Sequence, residues 1–242
     1  MKKIAYILGI ICAMTMQSCL DLEPKTQLAD TNYWKSPEHF KLFATQFYGW
    51  SADFRWLDDS QHADIRSDLF AGSTVNIYSN GTNSIPSSDK HYTDNYNRIR
   101  QTNTLLQQAD AYEQQADIAI SVGEARFFRA YCYFNLVRAF GEVPLVTYKI
   151  NDASEANIPK TTVDKIYEQI DTDLKTAEES LPETWSTEYT GRLTWGAARS
   201  LHARTYMMRS DWDNMYKAST DVINKGLYNL KTPYNEIFTD DG

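Results

Sequence analysis

Apolar side chains along this chain recur at steps of three and four residues over most of its length, the period of an amphipathic α-helix. In "TTVDKIYEQIDTDLKTAEESLP", Val163, Ile166, Ile170, Leu174, Ala177 and Leu181 follow one another at steps of 3, 4, 4, 3 and 4. They therefore share one face, with Thr161 or Thr162 as cap and Pro182 as terminator. Earlier, "SPEHF" sets Ser36 as N-cap and Pro37 at the first helical position. Phe40, Phe43, Phe47 and Trp50 carry that period onward, which predicts a helix to about Trp50. Helix resumes near Asp89 and runs through "HYTDNYNRIRQTNTLLQQADAY". Next comes "ADIAISVGEARFFRAYCYFNLVRAFG", with Phe127, Ala130, Tyr131, Phe134 and Val137 on a broad apolar face until Gly141 and Pro144 stop it. Val143 to Tyr148 reads as a short extended crossing.

The last pair is "TWGAARSLHARTYMMRS" and "DWDNMYKASTDVINKG", joined by a corner at Ser210–Asp211. Gly196, Ala197 and Ala203 offer small surfaces to aromatic neighbours. Trp212, Ala218 and the stop at Gly226 complete something close to a tetratricopeptide unit, which buries its faces by stacking on units of similar design. The pattern predicts an all-α fold of tetratricopeptide-like helix pairs carrying long irregular loops. It is a repeat-like scaffold rather than a regular solenoid.

Periodicity fades between residues 51 and 90. There "AGSTVNIYSNGTNSIPSS" is dense in turn-forming residues. A loop of that length either contacts a ligand or is a surface insertion, and both readings stand. Trp56 follows the first helix, outside its apolar period, among Arg55, Asp58 and Asp59.

The N-terminus obeys a different pattern. Lys2 and Lys3 precede an uncharged apolar run from Ile4 to Met16, too short for the about 20 helical residues that span a bilayer. A basic start, a short apolar run and the small Ser18 before Cys19 describe an export signal. Cleavage before a cysteine is the mark of a bacterial lipoprotein, although Met16 stands where Leu is usual. Cys12 is the weaker site, because bulky Ile10 and Ile11 precede it. An ordinary secretory signal is the alternative. The expected division is a signal at 1–18 and a helical region at 19–242. Acyl chains on Cys19 would supply a membrane anchor, since each buried methylene adds about 0.8 kcal/mol.

Without Lys2 and Lys3 the chain holds 22 basic against 32 acidic residues, a balance of −10. That charge argues against nucleic acid and against docking on anionic lipid. Beyond the leader and Cys19 only Cys132 remains, so packing rather than a disulfide must hold this exported chain together. His39, His62, His91 and His202 are scattered, and no pair has metal-ligand spacing on one helix face. Neither a nucleophile elbow nor a phosphate-binding glycine loop occurs. The pairs Asp58–Asp59 and Glu178–Glu179 read as solvated faces. No catalytic residue, metal ligand or cofactor motif stands out, and the balance moves toward binding.

The block "GEARFFRAYCYFNLVRAFGEVPLV" resembles the signature helix and crossing of the SusD/RagB-like outer-membrane nutrient-binding lipoproteins. Its neighbours follow in the same order: "SCLDLEP", "YWKSPEHF", "YNRIRQTNTLL", "VDKIYEQIDTDLKTAEESLP" and "GRLTWGAARSLHARTYMMRSDWDNMYKASTDVI". The resemblance implies a cell-surface lipoprotein that captures oligosaccharides, or in some members peptides, and passes them to a SusC-like TonB-dependent transporter. It also implies lipid on Cys19, with Asp21 and Glu23 as a surface-export signal. Members of the family usually extend much further, so the chain is expected to be the N-terminal part of a larger domain. Family ligand residues lie in divergent loops. Here, aromatic faces for sugar rings and polar groups for hydroxyls make Trp56, Arg66, Asp68, Tyr78 and Asn80 the ligand-contact candidates. Two rivals remain open: a surface glycoside hydrolase whose catalytic acids lie outside this sequence, and a tetratricopeptide-type scaffold that binds protein.

Overall fold

The computed structural model of the chain describes residues 33–55 and 89–230. The chain divides into two units, Met1–His39 and Phe40–Gly242. In the first, the Tyr33 ring lies edge-on to Trp34 and stacks on His39, with centroids 5.0 and 5.1 Å apart. The Tyr33 hydroxyl donates to the His39 carbonyl at 3.2 Å.

Helix α1 spans Pro37–Thr45 and passes into a 3-10 helix, Gln46–Arg55. The α-helix expected to reach Trp50 thus tightens early. The Thr45 hydroxyl bonds back to the Lys41 carbonyl at 2.8 Å, and Gly49 follows, so local bonding and propensity both disfavour a longer α-helix. Phe40 and Phe47 are fully buried in the second unit, and Phe47 packs against Trp50 and Phe128 at 4.7 and 5.7 Å.

Helix α2, Lys90–Asp110, begins where Asp89 accepts from the Tyr92 amide at 3.0 Å. Helix α3, Gln115–Phe140, stops at Gly141, whose φ of 68° is a conformation that glycine tolerates and β-carbon-bearing residues resist. The broad single face expected for α3 is too narrow a description. Phe128, Ala130, Cys132, Tyr133, Phe134 and Leu136 are all buried, whereas Phe127 and Tyr131 are only partly so. Helix α2 packs on α3, and so does α4, hence apolar residues almost encircle it. Cys132 is sealed among them, and burial pushes its thiol up to about 12, which leaves it protonated and inert.

After α3 the chain extends. Strand β1, Val143–Pro144, pairs antiparallel with β2, Lys160–Thr161, placing Val143 opposite Thr161. Helix α4, Val163–Ser180, buries the predicted stripe: Ile166, Ile170, Leu174 and Ala177 have no exposed surface. Thr162 occupies the cap position with extended backbone but makes no side-chain cap bond. At the far end of α4 the neighbouring helix comes very close. A β-carbon on Gly123 would stand 2.8 Å from Ser180 Cβ.

Helices α5, Trp195–Met208, and α6, Trp212–Asn224, form the last pair. Thr194 caps α5 and Asp211 caps α6, while Ser210 takes a φ of 59° at the corner between them. Successive helices pack in chain order, α2 on α3, α3 on α4, α4 on α5 and α5 on α6, as the tetratricopeptide-like reading expects. Among the described residues the fold is all-α apart from the β1–β2 bridge. Among the described residues no helix is long and apolar enough to cross a membrane.

Candidate functional site

Helical spacing places Tyr92, Tyr96, Asn97, Arg100 and Asn103 along one side of α2. The segment that follows Pro144 runs against this side. Two adjoining cavities open between them. One, of about 360 Å³, is lined by Tyr96, Arg100, Tyr148, Asn151 and Asp152 among others. The second, of about 390 Å³, reaches Tyr92, Pro144, Ala156 and Ile158. Tyr96, Asn97, Val146 and Ile150 line both, so the two form one groove.

The groove wall is irregular backbone, and its shape depends on what holds it. Tyr133 does so twice: its hydroxyl donates to the Val146 carbonyl at 2.9 Å and accepts from the Val146 amide at 2.7 Å. The Tyr96 hydroxyl donates to the Pro144 carbonyl at 2.7 Å. The Asn103 amide donates to the carbonyls of Val146 and Tyr148 at 3.0 and 2.9 Å. Asn103 is in turn fixed by Arg129, which donates to its Oδ1 at 2.9 Å and to the Thr147 carbonyl at 3.2 Å. The other edge of the Arg129 guanidinium grips Asp173 through Nε and Nη2 at 2.8 and 2.7 Å. Asp173 has no exposed surface and also accepts from Arg126 and Gln169, at 2.9 and 3.1 Å. Helices α2, α3 and α4 thus meet in one polar network under the groove, in which Arg126 Nε alone of the buried side-chain polar atoms lacks a partner. Burial pushes the Tyr96 and Tyr133 hydroxyls well above the usual phenol range, so they stay protonated donors.

The rim is open. Tyr148 is 50% exposed. The Asn97 and Asn151 side-chain amides and the Arg100 guanidinium bond to none of the described residues, while the Asn151 backbone amide donates to Glu155 at 3.1 Å. The Asp152 carboxylate caps the turn at Ala153–Ala156, accepting from the Ser154 amide at 2.7 Å, a bond that lowers its pKa. Aromatic faces, amides and one charge of each sign line this groove. It lacks a nucleophile paired with a base, and no metal-binding cluster occurs among the described residues.

Two other polar clusters bind elements of the scaffold. Glu124 is fully buried, accepts from the Tyr48 hydroxyl at 2.6 Å and is clasped by Arg192 at 2.9 and 2.5 Å. His202 is also fully buried, with Nδ1 2.7 Å from Glu178 and Nε2 3.3 Å from Asp171, the latter outside hydrogen-bonding geometry. Burial alone lowers the His202 pKa, but the Asp171 and Glu178 carboxylates outweigh it and raise the value. Glu178 also pairs with Arg199 at 3.2 Å. The reading of Glu178–Glu179 as a solvated pair is therefore corrected: Glu179 faces solvent, whereas Glu178 serves buried His202. A histidine on the neighbouring helix supplies the partner that the sequence did not indicate.

Cys19, Trp56, Arg66, Asp68, Tyr78 and Asn80 lie outside the described residues. The groove residues were missed by sequence reasoning. Tyr92 and Tyr96 sit one helical turn apart in "HYTDNYNRIR", and Tyr148 with Asn151 and Asp152 follows the crossing; those were the signals available.

Comparison with known proteins bears on this architecture. A family model described as "Starch-binding associating with outer membrane", of SusD-like proteins, matches residues 19–207. The chain belongs to this family. The SusD-like protein P2 of Formosa agariphila is 29% identical over 232 residues, which cover 89% of this chain and 45% of that protein. The crystal structure of a SusD superfamily protein from Parabacteroides distasonis superposes with a TM-score of 0.71 at 24% identity, over 87% of this chain and 48% of the other. A laminarin-binding SusD-like protein superposes at 0.65 and 22% identity, over 76% and 43%. This SusD-like chain spans a little under half the length of the curated relative P2.

Proposed function

We propose that this SusD-like chain serves a cell-surface lipoprotein that binds oligosaccharide nutrients and delivers them to a SusC-like TonB-dependent transporter. The observation that carries the reading is family membership over residues 19–207, a family described as starch-binding and associated with the outer membrane. The laminarin-binding neighbour shares the fold. Lipid on Cys19, after a signal at 1–18, is the proposed anchor. Region 19–242 is the proposed SusD-like helical region. Trp56, Arg66, Asp68, Tyr78 and Asn80 remain the loop contacts put forward for glycan. The chain is not proposed to be an enzyme, and it needs no cofactor for this role.

Calorimetric titration with neutral oligosaccharides, paired with a reducing-end assay, tests the reading. It requires saturable binding with no new reducing ends. Steady release of reducing ends favours the surface hydrolase instead. A protein-binding scaffold gives neither binding heat nor hydrolysis.

A further inference from the structure

The α2 groove has an apolar floor and a polar rim. We infer that it is a subsite for a run of neutral sugar units, separate in sequence from the Trp56–Asn80 loop region and resting on the glycan-binding reading above. Three features lead there. From Tyr92 to Asn103 the α2 side of the groove extends about 16 Å at 1.5 Å per residue, which suits an extended chain of rings rather than one. The two joined cavities, of about 360 and 390 Å³, are each of small-molecule size.

The second feature is the pairing of surfaces. Ile99, Val146 and Ile150 give an apolar floor, and Tyr148 offers a half-exposed ring beside it. A pyranose presents flat C–H faces to such surfaces and hydroxyls at its edges. Asn97 and Arg100 stand on the α2 rim for those hydroxyls, with Asn151 and Asp152 on the opposite rim. Arg100 donates only, Asp152 accepts, and the amides do both, so a hydroxyl finds either role. The third feature is charge. Arg100 faces the Asp152 carboxylate, and the Glu155 carboxylate sits 3.1 Å from the Asn151 backbone amide, so this rim gives an anionic glycan no net attraction. The Arg129–Asp173 network holds the floor without contributing a charge to the groove, so the wall is set before ligand arrives.

The test uses the full chain and separates this inference from the function reading. Binding of laminari-, cello- and xylogluco-oligosaccharides is measured by calorimetry for wild type, Tyr148→Ala, Tyr148→Phe and Arg100→Ala. Oligogalacturonate and hexapeptides serve as the acidic and peptide probes. Tyr148→Ala is expected to raise Kd about tenfold and Arg100→Ala about fivefold for the best neutral ligand. Tyr148→Phe, which keeps the ring, should bind as wild type does. Ligand should also slow hydrogen exchange at residues 146–152. If wild type binds a neutral glycan while both alanine variants bind it equally well, the groove is not a subsite and the function reading survives. Tighter binding of oligogalacturonate or peptide overturns the ligand class. No glycan binding by wild type overturns both readings.

Discussion

Asp173→Ala removes the anion on which α2, α3 and α4 converge. The carboxylate accepts two bonds from Arg129, one from Arg126 and one from Gln169, all between 2.7 and 3.1 Å. Arg129 is 2% exposed, so water cannot replace the lost partner. Removing one member of a buried pair costs about 3–5 kcal/mol. At about 2–4 °C per kcal/mol for a chain of this size, the melting temperature should fall by roughly 6–20 °C. Thermal unfolding followed by circular dichroism reads this directly. The double variant Arg129→Met/Asp173→Leu is the control, because replacing both charges with apolar groups avoids stranding either one. It should recover about half or more of the loss, held back by Asn103 and Thr147, which lose their donor. Exchange at the Val146 amide should quicken in Asp173→Ala, since Asn103 and Arg129 brace that segment. A fall below about 2 °C, or a double variant as unstable as the single, would refute the assignment of this network as the pin between helices and groove.

Gly123→Ala places a methyl 2.8 Å from Ser180 Cβ and should cost about 1–3 kcal/mol, read as a shifted urea midpoint at unchanged slope. His202 gives a pH signature. Its folded pKa is raised, so its contribution is complete below the unfolded value near 6.5 and is lost as pH rises through the folded pKa. The Asp171 pKa is lowered: burial opposes this, but the bonds from Arg209 and the nearby His202 ring prevail. Its contribution is therefore present above about pH 4 and lost as pH falls through the folded value. Melting temperatures across pH 3–9 should show both limbs, and His202→Gln should flatten the alkaline one; an unchanged alkaline slope refutes the assignment. Cys19→Ala should release the protein from the membrane fraction, and a variant that still pellets after a high-salt wash means another anchor.

The helices were legible because burial on one face leaves a period in the sequence. Ile166, Ile170, Leu174 and Ala177 announce α4, and Gly141 announces the end of α3. Polar partnerships leave no such trace. Arg129 stands 26 residues from Asn103 and 44 from Asp173, and neither distance has a local signature. Glu178 looked solvated beside Glu179 because its partner, His202, comes from the next helix. The groove was hidden for the same reason, since it exists only where α2 meets the segment after Pro144. Two-residue β2 was missed as well, because a strand that short carries no alternation to read.

Glycan capture is the claim on which the rest depends, and affinity electrophoresis of the native protein tests it most directly. Gels cast with laminarin, xyloglucan or starch are run beside a gel without polysaccharide, with an inert protein as mobility reference. Selective retardation in at least one polysaccharide is the predicted result. Unretarded migration through every one would contradict the account.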